Sequence, residues 1–579
     1  MKRRIRSVSI LLLAAAIFLS TLTCTVRAQT STLILGTTDS VESAIDPAQA
    51  WDYFGWEIIQ NIGATLVDIR PGSQAGPDDI IPCLATNWTA SPDGLAWTFT
   101  LRHGVLYDDG VTEFNATHVK YSFERAIWGI NSSDGPQYGI DYAGIIGSID
   151  AVSKYEVRFN LLIPFSPFLQ LMSCQASSIV NPAYGPYDTI MNYTAGNARA
   201  STPMDLGPYK LTEWVRTAGK DDRIVLDANP RYFNASAGVP KTSRIIYEFY
   251  SDSTALRLAI EGGDIDIAYR QLAADDITAL QANPNLKVWQ GTGAFIQYMI
   301  FQEAEIPGLT RLNDSRLRRA IAAALNRTQL VKTVFIDQAQ PLYSMIPIGM
   351  IGHTEAFKAL GDSNYTYTQN LLAQLGFNTT NKLQIELWYE SSGHYPSSGD
   401  QAALYKAQLE GSGVISVTLK GADWPSYRLN RNNGIMQVFV YGWYPDYVDP
   451  DNYAFLYWAS WLNHHFIEYG EHYSEMLNAY NEARNVTSAA GRTSFYAQLE
   501  GFAVQDCPVI PIYQASAWAV TEKDVQGVVL DISQAWRNWL VIPEFPISIL
   551  AVFLIATLSP LLLARNLLKK KHTMKLKSP

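Results

Sequence analysis

The chain predicts an α/β fold of several domains, and three observations carry that prediction. Runs rich in β-branched and aromatic residues alternate with runs whose apolar residues recur at helical spacing. About 520 residues separate two apolar terminal segments, more than a single hydrophobic core accommodates. No internal period of roughly 20 to 50 residues is present, which excludes a solenoid or a propeller.

The elements follow in chain order. Residues 1–28 read as an export signal, with basic Lys2, Arg3, Arg4 and Arg6, an apolar run from Val8 to about Leu22, and Val26-Arg27-Ala28 before cleavage. Thr21-Leu22-Thr23 lacks the small residues that precede a lipidated cysteine, so Cys24 is not expected to carry lipid. Strands are expected at Thr32–Thr37, Ala96–Leu101, Val157–Leu162, Ile224–Leu226, Arg244–Tyr250, Leu383–Tyr389 and Met436–Tyr441. Helices are expected at Ala116–Trp128, Ser253–Glu261, Ser315–Leu325 and Ala402–Leu409. Asn313-Asp314-Ser315 supplies the cap for the third, ahead of Leu317, Ile321 and Leu325 on one face. Ser91-Pro92-Asp93-Gly94, Gly207-Pro208 and Asn283-Pro284 mark chain reversals. After a linker at 541–546, the uncharged run Ile547–Ala564 has the length of one transmembrane helix. Arg565, Lys569, Lys570, Lys571, Lys575 and Lys577 follow it, placing 565–579 in the cytoplasm and everything before Ile547 outside.

Charge sharpens the picture. Eleven of the 44 Lys and Arg residues lie in the two termini, which hold no acid, leaving 33 basic against 54 acidic groups. An ectodomain this acidic, with no basic stripe, excludes nucleic acid and anionic lipid as partners. Cys83, Cys174 and Cys507 remain after export, too few and too scattered for a disulfide framework, and no Cys-x-x-Cys spacing occurs. One disulfide and three buried thiols both fit. Sequons at Asn87, Asn115, Asn192, Asn234, Asn326 and Asn485 agree with a glycosylated, exposed body.

Catalytic signatures are missing. The chain has no His-Glu-x-x-His, Gly-x-Ser-x-Gly or phosphate loop, and Gly291-Thr-Gly293 stops short of a dinucleotide motif. His464, His465 and His472 read as surface-loop residues, so no metal and no cofactor is expected. Pairs such as Glu303/Glu305 and Asp264/Asp266 need no catalytic role in so acidic a chain.

The densest chemistry lies in Tyr441-Gly442-Trp443-Tyr444-Pro445-Asp446-Tyr447-Val448-Asp449-Pro450-Asp451-Asn452-Tyr453. A glycine before a large ring permits close backbone approach, and rings exclude water around a carboxylate suited to a cation. A purely structural turn, with Asp446 or Asp449 capping N–H groups, fits the same residues.

This segment resembles the Gly-Trp-x-x-Asp-Tyr signature of the family 5 extracellular solute-binding proteins, the dipeptide/oligopeptide-binding family of ABC importers. Four further blocks occur in that family's order. The first runs from Leu84-Ala-x-x-Trp88 through Trp97-Thr-Phe99-Thr-Leu101-Arg102-x-Gly104, Asp109-Gly110 and Val119-x-Tyr121-Ser122. Gly207-Pro208-Tyr209-Lys210-Leu211 with Asn229-Pro230-x-Tyr232 is the second, and Glu261-Gly262-Gly263-Asp264-Ile265-Asp266 the third. The fourth, Leu317-Arg318-Arg319-Ala320-Ile321 with Ala324-Leu325-Asn326-Arg327, carries Asn326 where the family has Asp.

The resemblance implies a monomeric two-lobed clamp of the periplasmic-binding-protein type, with an inserted extra domain and no enzymatic activity. Its division would be 29–60, 204–290 and 505–540 for the first lobe, 61–203 for the insertion and 291–504 for the second lobe. It implies a peptide ligand, with Asp446 holding the α-ammonium and Trp443 walling a side-chain pocket. Val440, Tyr441 and Gly442 would lend backbone groups to the extended peptide, while Asp449 and Pro450 brace the turn. Arg270, Arg428 and Arg431 are all available for the ligand carboxylate, and no motif chooses among them. An ABC permease and ATPase are the implied partners. Oligosaccharide or a nickel chelate is the alternative ligand, and a surface receptor without a transporter the alternative role. Ile542-Pro543-Glu544-Phe545-Pro546 before the apolar run resembles the anchors of archaeal surface proteins.

Overall fold

The computed structural model describes residues 31–543 apart from 75, 131–141, 184–186, 192–203, 271, 458, 460–469, 531 and 533–535. The export signal, the apolar run Ile547–Ala564, His464, His465 and Asn192 lie outside the described residues. Among the described residues no helix is long and apolar enough to cross a membrane.

Two large sheets form two lobes. The first has seven strands in the order Leu286–Gly291, Ala517–Glu522, Ile267–Tyr269, Thr32–Thr37, Arg244–Phe249, Lys220–Ala228 and Tyr209–Thr217. The second has six: Ala339–Pro341, Val509–Ala515, Ile296–Phe301, Val438–Trp443, Leu383–Glu390 and Ile415–Ala422. A four-stranded antiparallel sheet between residues 85 and 161 and a two-stranded ribbon, Val67–Ile69 with Ile80–Pro82, stand apart from both. Segment 505–540 was expected to return to the first lobe, yet Val509–Ala515 pairs along Ile296–Phe301 in the second sheet. The switch comes later, at Ser516, because Ala517–Glu522 finds its partners in the first sheet.

Sequence explains the central strands. Ile-Gln-Tyr-Met-Ile-Phe at 296–301 and Val-Phe-Val-Tyr-Gly-Trp at 438–443 are buried at every position. Near-continuous apolar runs are what a strand covered on both faces requires. Capping sets the helix ends. Asp314 accepts from the Arg316 N–H to open Ser315–Ala324, and Asp52 accepts from the Gly55 N–H to open Tyr53–Ile62. The helix expected over Ala116–Trp128 keeps regular geometry only to Glu124 and continues as a wider turn, Arg125–Gly129. Arg125 is turned inward there, giving both Nη atoms to the Asp46 carboxylate at 2.8 and 2.6 Å.

Two arginines of the fourth family block are structural ties. Arg318, fully buried, donates to the carbonyls of Leu312, Asp506 and Cys507. Arg327 donates to the Pro511 carbonyl at 2.8 Å and pairs with Asp362 at 3.1 Å. Arg318 fastens its helix to the segment leading into Val509–Ala515, and Arg327 fastens the next helix to that strand itself. Cys83, Cys174 and Cys507 are free thiols. Asn87, Asn234 and Asn485 are exposed, whereas Asn115 and Asn326 use their side chains as helix caps.

The lobes meet at two adjacent crossovers. Leu286–Gly291 of the first sheet runs into Ile296–Phe301 of the second, and Val509–Ala515 runs through Ser516 into Ala517–Glu522. The Ala515 N–H donates to the Phe295 carbonyl at 3.0 Å, tying the two crossovers together.

Candidate functional site

A cavity of about 270 Å³ opens where the lobes face each other, beside these crossovers. The first lobe contributes Asp39, Glu42, Trp51, Tyr53, Tyr269 and Arg270. The second contributes Phe295, His394, Tyr395, Trp424, Arg428 and residues 441–446. Ring contacts make the wall nearly continuous. Tyr53 meets Tyr444 at 4.8 Å across the lobes, Phe295 meets Tyr444 at 4.6 Å, and His394 stacks on Trp424 at 3.7 Å.

The strand Val438–Trp443 delivers the signature turn to this wall. At Gly442 a Cβ would lie 2.4 Å from the Phe295 ring and 2.9 Å from Tyr395, so only glycine fits. Trp443 is buried, edge-on to Phe455, and its Nε1 donates to the Asn452 side chain at 3.1 Å. Tyr441 accepts through its hydroxyl from Arg431 Nη1 at 2.5 Å. Val440 does not line the cavity, contrary to expectation. Its carbonyl accepts from the Tyr427 hydroxyl at 2.7 Å, and the Gly442 N–H donates to the Tyr395 hydroxyl at 3.0 Å. The edge expected to add a peptide strand is therefore bonded within the protein, by tyrosines that the sequence did not single out.

Asp446 and Asp449 have opposite surroundings. The Asp446 carboxylate, 8% exposed, lines the cavity and accepts from Asn452 Nδ2 at 3.1 Å. None of the described basic side chains forms an ion pair with it. Burial pushes its carboxyl well above the usual carboxylate range, with the Asn452 bond opposing. Asp449 receives both Nη atoms of Arg492 at 2.9 and 2.5 Å and also accepts from the Asp451 N–H. Pro450 precedes the short helix Asp451–Ala454, whose Asp451 pairs with Arg484 at 3.1 Å.

Sequence reasoning missed the opposite wall. Trp51-Asp52-Tyr53-Phe54-Gly55-Trp56-Glu57 has the same density of rings and acids as the signature turn, and that similarity was the available signal. Burial and the neighbouring Asp52 push the Glu42 carboxyl up to about 7. Burial likewise raises Glu57 to about 7, against Arg270 and the Tyr247 hydroxyl. Burial and then Arg428 lower His394 to about 3, so its imidazole is neutral in the cavity. His472 belongs to a different place: with Glu471 and Asp506 it forms the one cluster of metal-ligating type among the described residues, and its Nδ1 lies 2.8 Å from Asp506 Oδ1.

An aromatic cavity held between two α/β lobes, joined by paired crossovers, defines a clamp of the periplasmic-binding-protein type. Residues 79–463 match the family described as "Bacterial extracellular solute-binding proteins, family 5 Middle", and the chain belongs to that family, one of binding proteins rather than enzymes. The probable D,D-dipeptide-binding periplasmic protein DdpA of Escherichia coli K12 is 27% identical, over 84% of this chain and 89% of that protein. Di/tripeptide-binding protein 2 of Pseudomonas aeruginosa is 26% identical, over 90% of this chain and 95% of that protein. Among solved structures, the DppA binding protein of Helicobacter pylori, in complex with the peptide STSA, superposes with a TM-score of 0.74. It is 23% identical, and the match covers 90% of this chain and all of that one. A dipeptide-binding protein from a Pseudoalteromonas species, in complex with Met-Leu, gives 0.73 at 19% identity, covering 89% and all of the two chains.

Proposed function

We propose that this protein captures short peptides outside the cell and delivers them to an ABC-type importer. One observation carries the reading: Asp446 presents a desolvated carboxylate to an aromatic cavity and has no charged partner among the described residues. A peptide's α-ammonium would supply the missing cation, and the surrounding rings suit it. The peptide-binding names of the relatives support the same ligand. Closure of the lobes on the ligand shifts an open–closed equilibrium, and the closed form is what a permease recognises.

The clamp acts at the membrane surface. The apolar run Ile547–Ala564 and its basic tail support retention by one helix, and residues 1–28 support export. The archaeal type of anchor belongs to the same proposal. Tethering raises the effective concentration of the binding protein beside its transporter.

Native mass spectrometry of the purified protein, followed by denaturing release, tests the ligand class. A heterogeneous ladder of short peptides is the expected result. A hexose-spaced mass, or no peptide uptake after unfolding and refolding with a peptide mixture, replaces the reading with oligosaccharide.

A further inference from the structure

Arg270 stands on the cavity wall in an arrangement that packing alone does not call for. It follows the strand Ile267–Tyr269 with φ of 59°, a left-handed backbone that costs energy for any residue with a side chain. The guanidinium carbon lies 4.5 Å from the Tyr53 ring centroid and 4.8 Å from that of Tyr269. Rings above the plane leave its edge as the place for hydrogen bonds.

That edge is only partly used. Nη2 donates to Glu57 Oε2 at 2.8 Å and lies 3.1 Å from Asp39 Oδ2. The side chain is more than nine-tenths buried, yet Nε makes no hydrogen bond with any described residue. Nε and Nη2 form the side of the fork that a carboxylate grips with both oxygens.

The two acids beside it are unequal. Glu57 is 1% exposed and fixed, with the Tyr247 hydroxyl donating to its Oε1 at 2.9 Å. Asp39 is 22% exposed, lines the cavity and sits in a loop after the strand Thr32–Thr37.

We propose that Arg270 binds the ligand's carboxylate, which displaces Asp39 from Nη2 and takes the open Nε as its second donor. Resting on the peptide reading, this grips a peptide by charge at both ends, with Asp446 on the ammonium. The other two arginines of the cavity are committed elsewhere. Arg431 gives Nη1 to Tyr441 and both Nε and Nη2 to Asn432, while Arg428 lies over the Trp51 ring and 3.5 Å from Glu42.

Titration of the full chain with Ala-Ala-Phe and with its carboxamide tests the assignment. The free acid is expected to bind about tenfold to a hundredfold more tightly, the range of a charged hydrogen-bonded pair. Arg270→Gln removes that preference. Asp39→Asn, an exposed-side change that spares the Glu57 pair, raises it severalfold by removing the competitor. Equal binding of acid and amide by the unaltered chain, or an unchanged ratio in D39N, overturns the carboxylate assignment and leaves peptide capture standing. Binding of neither probe overturns both.

Discussion

Asp446 and Asp449 sit three residues apart in one turn, and the fold treats them oppositely. Asp449 is locked into a bidentate pair with Arg492, inside a network that also holds Asp451 and Arg484. Asp446 is also buried, and among the described residues only Asn452 bonds to its carboxylate. A carboxylate taken out of water normally acquires a compensating partner, and its absence marks a place where something else is meant to bind. Between neighbours of the same type, the missing partner and not the burial separates the proposed ligand group from the scaffold.

The sharpest way to break this comparison is Asp449→Ala. It leaves Arg492 buried without its carboxylate, and the expected loss is about 3–5 kcal/mol of stability, read from urea midpoints. Peptide affinity of the folded fraction should stay within a few-fold. The reverse holds for Asp446→Asn: affinity falls about a hundredfold, while stability without ligand is unchanged or higher. A matched loss of stability in both variants would make Asp446 a second brace and remove it from the site.

Gly442→Ala comes next. Its Cβ drives into the Phe295 ring, costing about 1–3 kcal/mol and lowering affinity severalfold, because Phe295 lines the cavity. Calorimetry with and without peptide separates the two effects.

The smallest signal is a slope with pH. The Asp446 carboxyl is raised in the folded state, so the folded protein keeps a proton that the unfolded chain has released. Stability from this group is present at low pH and is lost as pH rises out of the ordinary carboxylate range. Stability of D446N relative to the unaltered protein should therefore grow as pH rises through and above the ordinary carboxylate range, a window that opens at about pH 4. A flat difference across that window contradicts the desolvated carboxylate.

Local features were legible in the chain. Asp314 as a cap and the extended runs of the two sheets follow from neighbours a few residues away. What was not legible depends on pairing at a distance. Arg492 is 43 positions from Asp449, and no motif joins them. Val440 was assigned to the ligand through the family resemblance, and the Tyr427 hydroxyl that takes its carbonyl comes from a separate helix. The wall from Trp51 to Glu57 faces a cavity only once the lobes meet, and the surroundings of Arg270 join residues more than 200 positions apart. The point of crossover was displaced for the same reason, since Val509–Ala515 reads as a generic apolar strand until its partner is known.

The strand Ala517–Glu522 gives the fold a mechanical property. It is held along both edges, by Leu286–Gly291 and by Ile267–Tyr269, and beyond it Gln526 and Ile542 exchange two backbone bonds. Tension applied from the carboxyl-terminal side thus loads the Gln526–Ile542 bridge first, and then two hydrogen-bonded ladders together rather than one at a time. Directly upstream lies Ser516, the crossover, so these ladders stand between the chain's end and the joint of the two lobes.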